Sequence, residues 1–239
     1  MSTLQGNEKS AYVQDMFGRI ARRYNLMNTL MTFGQDQRWR RFVVKQAHLP
    51  PGGALLDLAT GTGDIAQEAL RAQSDVMAVG ADFALPMMIV GREYHRRDQI
   101  AWCGADAMQL PFPDNTFDAV TSGYLLRNVV DIQQTLREQL RVTKPGGRIV
   151  ILDSSPPPRN LLRPFIMIHL KYVIPLLGRL ISGREGADAY RYLPESTQAF
   201  KTPEELADHM RTAGIVNVAY KRFMFGTIAV HWGNKAEAG

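Results

Sequence analysis

The chain has 239 residues, 45% of them apolar and 21% charged, the proportions of a folded domain, which exclude disordered, collagen-like and low-complexity readings. One cysteine, Cys103, excludes an internal disulfide and a multi-thiolate metal site. The net charge of +5 is concentrated in residues 1–50, which hold eight Lys/Arg against three Asp/Glu. Such a segment suits an anionic lipid, a nucleic acid, an acidic ligand or a solvated helix face.

Residues 10–48 read as helical, with Val13, Met16, Phe17, Ile20, Ala21 and Tyr24 at helical spacing. Breaks are predicted at Asn25 and Asn28 and at Thr32-Phe33-Gly34, followed by a helix carrying Trp39, Phe42, Val43 and Ala47. After Pro50-Pro51-Gly52-Gly53, residues 54–58 form the short apolar run of a buried strand. A glycine-rich turn leads into a helix from Asp64 to Ala72, then come strands at 76–81, 100–103 and 117–122 and helices at 86–94 and 132–142. Lys144-Pro145-Gly146-Gly147 predicts a tight turn into a strand at 148–152. This alternation is that of a doubly wound α/β sheet.

Residues 154–184 break the pattern, carrying Arg159, Arg163, Lys171, Arg179 and Arg184 with no Asp or Glu. They read as an apolar, basic insertion above the sheet. Its stretch Leu161–Ile181, interrupted by Pro164 and Pro175, is expected to lie on a membrane rather than cross it, although a dimer interface would read the same way. Thr202, Pro203 and Glu205 begin a helix that ends at Gly214, and strands at 216–223 and 227–232 close the chain. A single domain over 1–239 is expected, with a helical segment 1–50 and a lid over 154–200. The polar start, without an apolar leader core, gives a cytoplasmic expectation.

The glycine loop Asp57-Leu-Ala-Thr-Gly61-Thr62-Gly63-Asp64 fits two cofactors. Gly61-x-Gly63-x-x-Ala66 with Asp82 downstream matches a dinucleotide fingerprint. S-adenosylmethionine equally wants an acid after the second strand, here Asp82, for its ribose. Three features favour the latter. Asp57 ends the first strand, where it could hold an amino group directly or through the loop. Asp106, in Ala105-Asp106-Ala107, follows the third strand, and Lys144-Pro-Gly-Gly precedes the fifth.

Several rarer motifs then occur in order. They are Arg23-Tyr24-Asn25-Leu26-Met27-Asn28 with Phe33-Gly34 and Trp39-Arg40, Leu126-Arg127-Asn128-Val129, Tyr190-Arg191-Tyr192-Leu193-Pro194-Glu195-Ser196, and Phe225-Gly226-Thr227-Ile228-Ala229-Val230-His231. Together they resemble the menaquinone and ubiquinone C-methyltransferase family across almost the whole chain. The resemblance implies a Rossmann-like class I methyltransferase fold, seven-stranded with the last strand antiparallel. It implies cofactor contacts at Thr62, Asp82, Asp106 and Ala107, alongside the loop residues Asp57, Gly61 and Gly63, and methylation of a prenylated quinol. Gly123, Leu125 and Asp153-Ser154-Ser155 depart from the family's usual residues.

A quinone ring carbon is a poor nucleophile, so the reduced quinol is the expected substrate, activated by loss of a hydroxyl proton. Arg127 and Asn128, after the fourth strand, are the candidates for the substrate end of the site, where ligands bind in open α/β sheets. A permanently charged arginine can stabilise a phenolate or hold a water, and could equally be a structural partner of a carboxylate. Asp153 is a candidate to orient Arg127 or take a proton. Tyr24, Met27, Tyr190 and Tyr192 offer surface for a flat ring. His48, His95 and His209 read as surface residues, whereas His169 and His231 could reach the ring. The substrate expectation leans to demethylmenaquinol, at the inner face of a membrane and without nucleic acid. Open alternatives are a ubiquinone-precursor benzoquinol, another methyl acceptor such as RNA, a non-catalytic cofactor-binding subunit, and a homodimer.

Overall fold

A computed structural model describes residues 6–95 and 99–237, with the side chains of all of these except 6, 7, 9, 10 and 182–191. The strands β1 (Ala54–Leu58), β2 (Met77–Asp82), β3 (Ile100–Gly104), β4 (Phe117–Gly123), β5 (Thr143–Ser154), β6 (Val216–Phe223) and β7 (Ile228–Asn234) form one sheet in the order β3-β2-β1-β4-β5-β7-β6. Pairing is parallel from β3 to β5, and β7 runs antiparallel to both of its neighbours, as the resemblance implied. The strand order reverses between β1 and β4, so their carboxyl ends open a crevice.

Every residue of β1 is buried because helices cover both faces. Alternate strand residues point to opposite sides. Leu55, Ala119 and Val150 meet Trp39 and Val43 of α3 (Asp36–Ala47) and Ala66 of α4 (Asp64–Ala72). Leu56, Val120 and Ile149 meet Leu136 of α6 (Ile132–Val142) and Leu206 of α9 (Pro203–Thr212). The helix α5 (Leu85–Tyr94) follows β2. α9 starts with a complete capping box, Thr202 accepting from the Glu205 amide and Glu205 accepting from the Thr202 amide.

The structure departs from the sequence pattern in three places. The first helical break falls earlier than expected. α1 (Gly6–Ile20) ends in a 3-10 turn at Ala21–Arg23, and Asn25 and Asn28 lie inside α2 (Tyr24–Met31). Asn25 has tertiary partners instead of disrupting the helix, donating to Asp64 and accepting from Thr62. The break at Phe33-Gly34 is present, both residues having positive φ. Secondly, β5 begins at Thr143, and the expected tight turn is a bulge within it. The pairing passes from Phe117↔Thr143 to Ala119↔Arg148, with Gly146 at φ +74°. Thirdly, the lid is nearly continuous helix: α7 (Arg163–Ile168), one π-helical turn His169–Val173, and α8 (Ile174–Ala199). Leu170, Ile174 and Tyr192 of this lid pack on Met16, Ile20, Met27 and Met31 of α1 and α2.

Candidate active site

Two cavities lie at the carboxyl edge of the sheet. The first, about 300 Å³, is formed by the ends of β1, β2, β3 and β4 and is covered by Val13, Gln14 and Phe17 of α1. Gln14 Nε2 donates to the Phe83 carbonyl at 2.9 Å and fastens that cover. The floor follows from the β1–α4 loop. Gly61 N donates to Asp82 Oδ2 at 2.7 Å, and Ala84 N donates to Asp82 Oδ1 at 2.7 Å. One carboxylate thus ties the glycine loop to the turn after β2 while facing the cavity. Burial pushes the Asp82 carboxyl up against the pull of those amides. Asp106 and Ala107 form the rim, where Asp106 accepts from the Met108 amide at 2.9 Å.

Three loop residues stand behind the wall rather than on it. Asp57 accepts from the Thr60 hydroxyl at 2.7 Å and the Thr121 hydroxyl at 2.9 Å, so it braces the loop from beneath, and burial pushes it up to about 7. Thr62 turns its hydroxyl to Asn25 at 2.8 Å. Gly63 is left-handed at φ +84°, and a Cβ there would stand 2.6 Å from Trp102. The chemistry of the wall separates the two cofactors weighed on the loop motif. Among the described residues, two acids and no Lys or Arg line this cavity. A pyrophosphate would meet only negative charge there, whereas a sulfonium nucleoside with ribose hydroxyls suits it.

The second cavity, about 330 Å³, is bounded by the sheet edge, α2, the lid and the β6–β7 turn. Arg127 reaches it from the loop after β4. Its Nη1 donates to Ser154 Oγ at 2.8 Å and lies 3.5 Å from Asp153 Oδ1, and its guanidinium carbon is 4.9 Å from the Tyr124 ring centroid. Asp153 is buried off the cavity, accepting from the Ser154 amide at 2.7 Å and the Arg127 amide at 3.3 Å. Burial raises its carboxyl, and the Arg127 charge works in the opposite direction.

The candidate substrate residues divide. Tyr24 lines both cavities, and so does Tyr124. Met27, fully buried under the lid, and Tyr192, whose ring packs edge-on against Tyr12, line neither. The Tyr192 hydroxyl donates instead to Asn128 Oδ1 at 3.1 Å, and Asn128 faces the first cavity, not the second. Tyr190 lies in 182–191, outside the described side chains. His231 does not reach the site. Its Nε2 meets the Pro203 carbonyl at 2.9 Å and its ring packs on Tyr220, with burial pushing it down to about 4. His95, expected at the surface, is buried, and His169 lines the second cavity.

Sequence reasoning missed Tyr124, Ser154 and Thr197. Tyr124 carries a positive φ of 58°, a conformation uncommon outside glycine, directly before the Leu-Leu-Arg-Asn run. Burial raises both Tyr24 and Tyr124, so the shared wall is neutral. Ser154, read only as a departure, accepts from both Arg127 and the Thr197 hydroxyl of α8, the latter at 3.0 Å.

The second cavity opens among exposed apolar groups. Phe33, Phe165 and Phe225 line it and are 75%, 70% and 67% exposed. Exposed Ile168, Tyr172, Leu176 and Leu180 continue this surface along the lid. The helical stretch Arg163–Ile181, at mean hydropathy 1.4, is long and apolar enough by composition alone to cross a membrane.

The model of the ubiE/COQ5 methyltransferase family matches residues 5–235. The chain is 52% identical over 227 residues to the ubiquinone/menaquinone biosynthesis C-methyltransferase UbiE of Desulfotalea psychrophila, covering 95% of this chain and 92% of that protein. It is 45% identical over 222 residues to the demethylmenaquinone methyltransferase of Thermus thermophilus, covering 92% and 100%. Among solved structures, phosphoethanolamine N-methyltransferase 2 of Haemonchus contortus, in complex with S-adenosyl-L-methionine, matches at TM-score 0.63 and 14% identity. That match covers 84% of this chain and 53% of the other, and it bears on the fold.

Proposed function

The chain belongs to the ubiE/COQ5 methyltransferase family, and from that premise we propose that it transfers a methyl group from S-adenosylmethionine to a ring carbon of demethylmenaquinol. The observation that carries this reading is the pair of cavities with a common wall. One is acidic and suited to the cofactor, the other apolar with a guanidinium at its inner end, and Tyr24 and Tyr124 stand between them.

Gly61, Asp82, Asp106 and Ala107 would hold the cofactor, with Asp57, Thr62 and Gly63 shaping the loop behind them. When bound, S-adenosylmethionine supplies an electrophilic methyl on a sulfonium. Arg127 faces the acceptor, and its fixed charge stabilises the quinol oxygen as the hydroxyl proton leaves, which raises electron density on the neighbouring ring carbon. Arg127 is too basic to take that proton, so its part is to favour the phenolate while the proton is released to solvent before the lid closes over the ring. Asp153 does not line the cavity, so its part is to hold Arg127 in place. Neutral Tyr24 and Tyr124 align the ring with the first cavity, and the lid excludes bulk water from the phenolate.

The apolar rim supports a peripheral position at the inner face of a membrane. The lid stretch lies on the bilayer rather than through it, since Lys171 interrupts it and Leu170 and Ile174 pack inward on α1 and α2. Arg159, Arg163, Lys171 and Arg179 each add about 1 kcal/mol of attraction to anionic headgroups.

Mass spectrometry after incubation with S-adenosylmethionine and chemically reduced demethylmenaquinol tests the activity. A ubiquinone-precursor benzoquinol and the oxidised quinones run in parallel. A one-methyl gain on the naphthoquinol alone is expected. Gain on the benzoquinol alone overturns the substrate assignment, and gain on neither, with cofactor bound, overturns the reaction.

A further inference from the structure

Resting on that reading, we propose that His169 is a substrate-binding residue that accepts a hydrogen bond from the quinol hydroxyl remote from Arg127, and that it thereby selects the quinol over the quinone. A hydroquinone presents two hydroxyl protons on opposite edges of the ring, and both are best bound by acceptors. Arg127 is a donor at every nitrogen and suits the oxygen that becomes anionic. The remote hydroxyl still needs an acceptor, and one side chain of the cavity offers a ring nitrogen for it.

The Thr32, Thr197 and Thr227 hydroxyls donate to the Asn28 carbonyl, to Ser154 and to the Met224 carbonyl and keep oxygen lone pairs, as do Tyr24, Tyr124 and Asn28 on the same lining, but all of these are neutral oxygen acceptors. Ser154 Oγ already accepts twice, from Arg127 and Thr197. His169 Nε2 is different. It is closed off in the empty cavity, lacks any hydrogen-bond partner among the described residues, and belongs to a side chain that lines this cavity, so the ring turns toward the acceptor when the quinol enters. An imidazole nitrogen is also a better acceptor than a hydroxyl oxygen. The ring is positioned by Phe33, 5.9 Å away between centroids, and by its place at the start of the π-helical turn joining α7 to α8. Such turns are rare and recur at functional positions. Arg127 enters from the sheet edge and His169 from the lid, so the two side chains address the acceptor from different walls.

In its oxidised form the substrate has carbonyl oxygens at both positions and no proton to give. With Nε2 as acceptor, the quinone meets an unpaired lone pair, and the pocket prefers the form that can react.

The test compares wild-type protein with His169→Phe, which keeps a flat ring, and His169→Gln, which restores an acceptor near the Nε2 position. Equilibrium dialysis gives Kd for three probes with a single-isoprene tail: the naphthoquinol under reductant, its quinone, and the quinol with the remote hydroxyl methylated. His169→Phe is expected to weaken quinol binding about tenfold, leave quinone and cofactor binding unchanged, and abolish discrimination against the ether. His169→Gln recovers part of the quinol affinity. Quinol affinity within twofold of wild type in His169→Phe overturns the inference, and so does an equal loss for quinol and quinone, which would mean a role in shape alone. Turnover of the quinol by wild-type protein is scored separately, and its absence would count against the methyl-transfer reading rather than against the selectivity.

Discussion

Replacing Arg127 with Leu separates the catalytic part of the buried ion pair from its structural part. The substitution removes the donor to Ser154 Oγ and leaves Asp153 with backbone donors only. Breaking a buried pair by deleting one partner costs about 3–5 kcal/mol. A ceiling applies, because the abandoned carboxylate can take up a proton instead of staying charged. From the ordinary value of 3.8, at about 1.4 kcal/mol per pH unit, that ceiling is about 5 kcal/mol at pH 7.5 and about 2 kcal/mol at pH 5.5. The sign follows: Arg127 holds the Asp153 carboxyl down, so its loss raises that carboxyl further, and the stability gap to wild type widens as pH rises. Thermal melts should show a fall of about 10 °C at pH 7.5 and a clearly smaller one at pH 5.5. Adding Asp153→Asn should recover most of the loss, because both charges are then gone. Turnover should not recover: both variants should fall about 10²–10³-fold in kcat with cofactor Kd within twofold of wild type. A stability gap independent of pH, or a double variant that regains turnover, would refute the reasoning.

Asp82→Ala removes the acceptor of the Gly61 and Ala84 amides and should weaken S-adenosylmethionine binding by about 10–100-fold in calorimetry, with a smaller effect on melting. Phe165→Glu, at an exposed rim position, should lower partition onto anionic vesicles more than tenfold without changing the melting temperature, and unchanged partition would remove the rim from membrane contact. His231 is held near 4 against an ordinary 6.5, so below pH 6.5 the unfolded chain takes up a proton that the native chain refuses, and stability falls as pH drops toward 4. His231→Gln should flatten that decline in denaturant titrations. Asp57 acts in the opposite sense: raised to about 7 from 3.8, it keeps a proton in the native state, so its contribution is lost as pH rises between those values, and Asp57→Asn should be the more stable protein at pH 8 relative to pH 5.

The sheet was legible because its strands alternate faces under two helical layers, and 132–142 matched to the residue because Asp131 caps the helix. The direction of β7 carries no local signal, since residues 228–234 read alike in either orientation, and it came only from the resemblance. Within the site, periodicity identified a helical N-terminal segment but neither α2 as one element, since Asn25 and Asn28 read as breaks, nor which way it faces. Tyr24, Asn28 and Met31 turn to the second cavity, while Met27, about a sixth of a turn from Tyr24 around the axis, turns into the cluster beneath the lid. The tyrosines of the 190–196 motif had the same ambiguity, and Tyr192 resolves it by giving its hydroxyl to Asn128. Tyr124 was invisible for another reason: its place on the shared wall depends on a left-handed backbone that its residue type does not announce.

That shared wall also governs how the protein can change. Among the described residues, Tyr24 and Tyr124 apart, the sets around the two cavities do not overlap. Substitutions at Met31, Leu193 or Thr227 therefore reshape the acceptor side while the donor side is untouched, so a lineage or an engineer can trade one ring system for another without rebuilding methyl-donor affinity. Changes at Tyr24 or Tyr124 have no such freedom, because each alters both pockets at once. Divergence among related enzymes with different acceptors should accordingly gather on α2, the lid and the β6–β7 turn, with these two aromatic positions as the slowest to move.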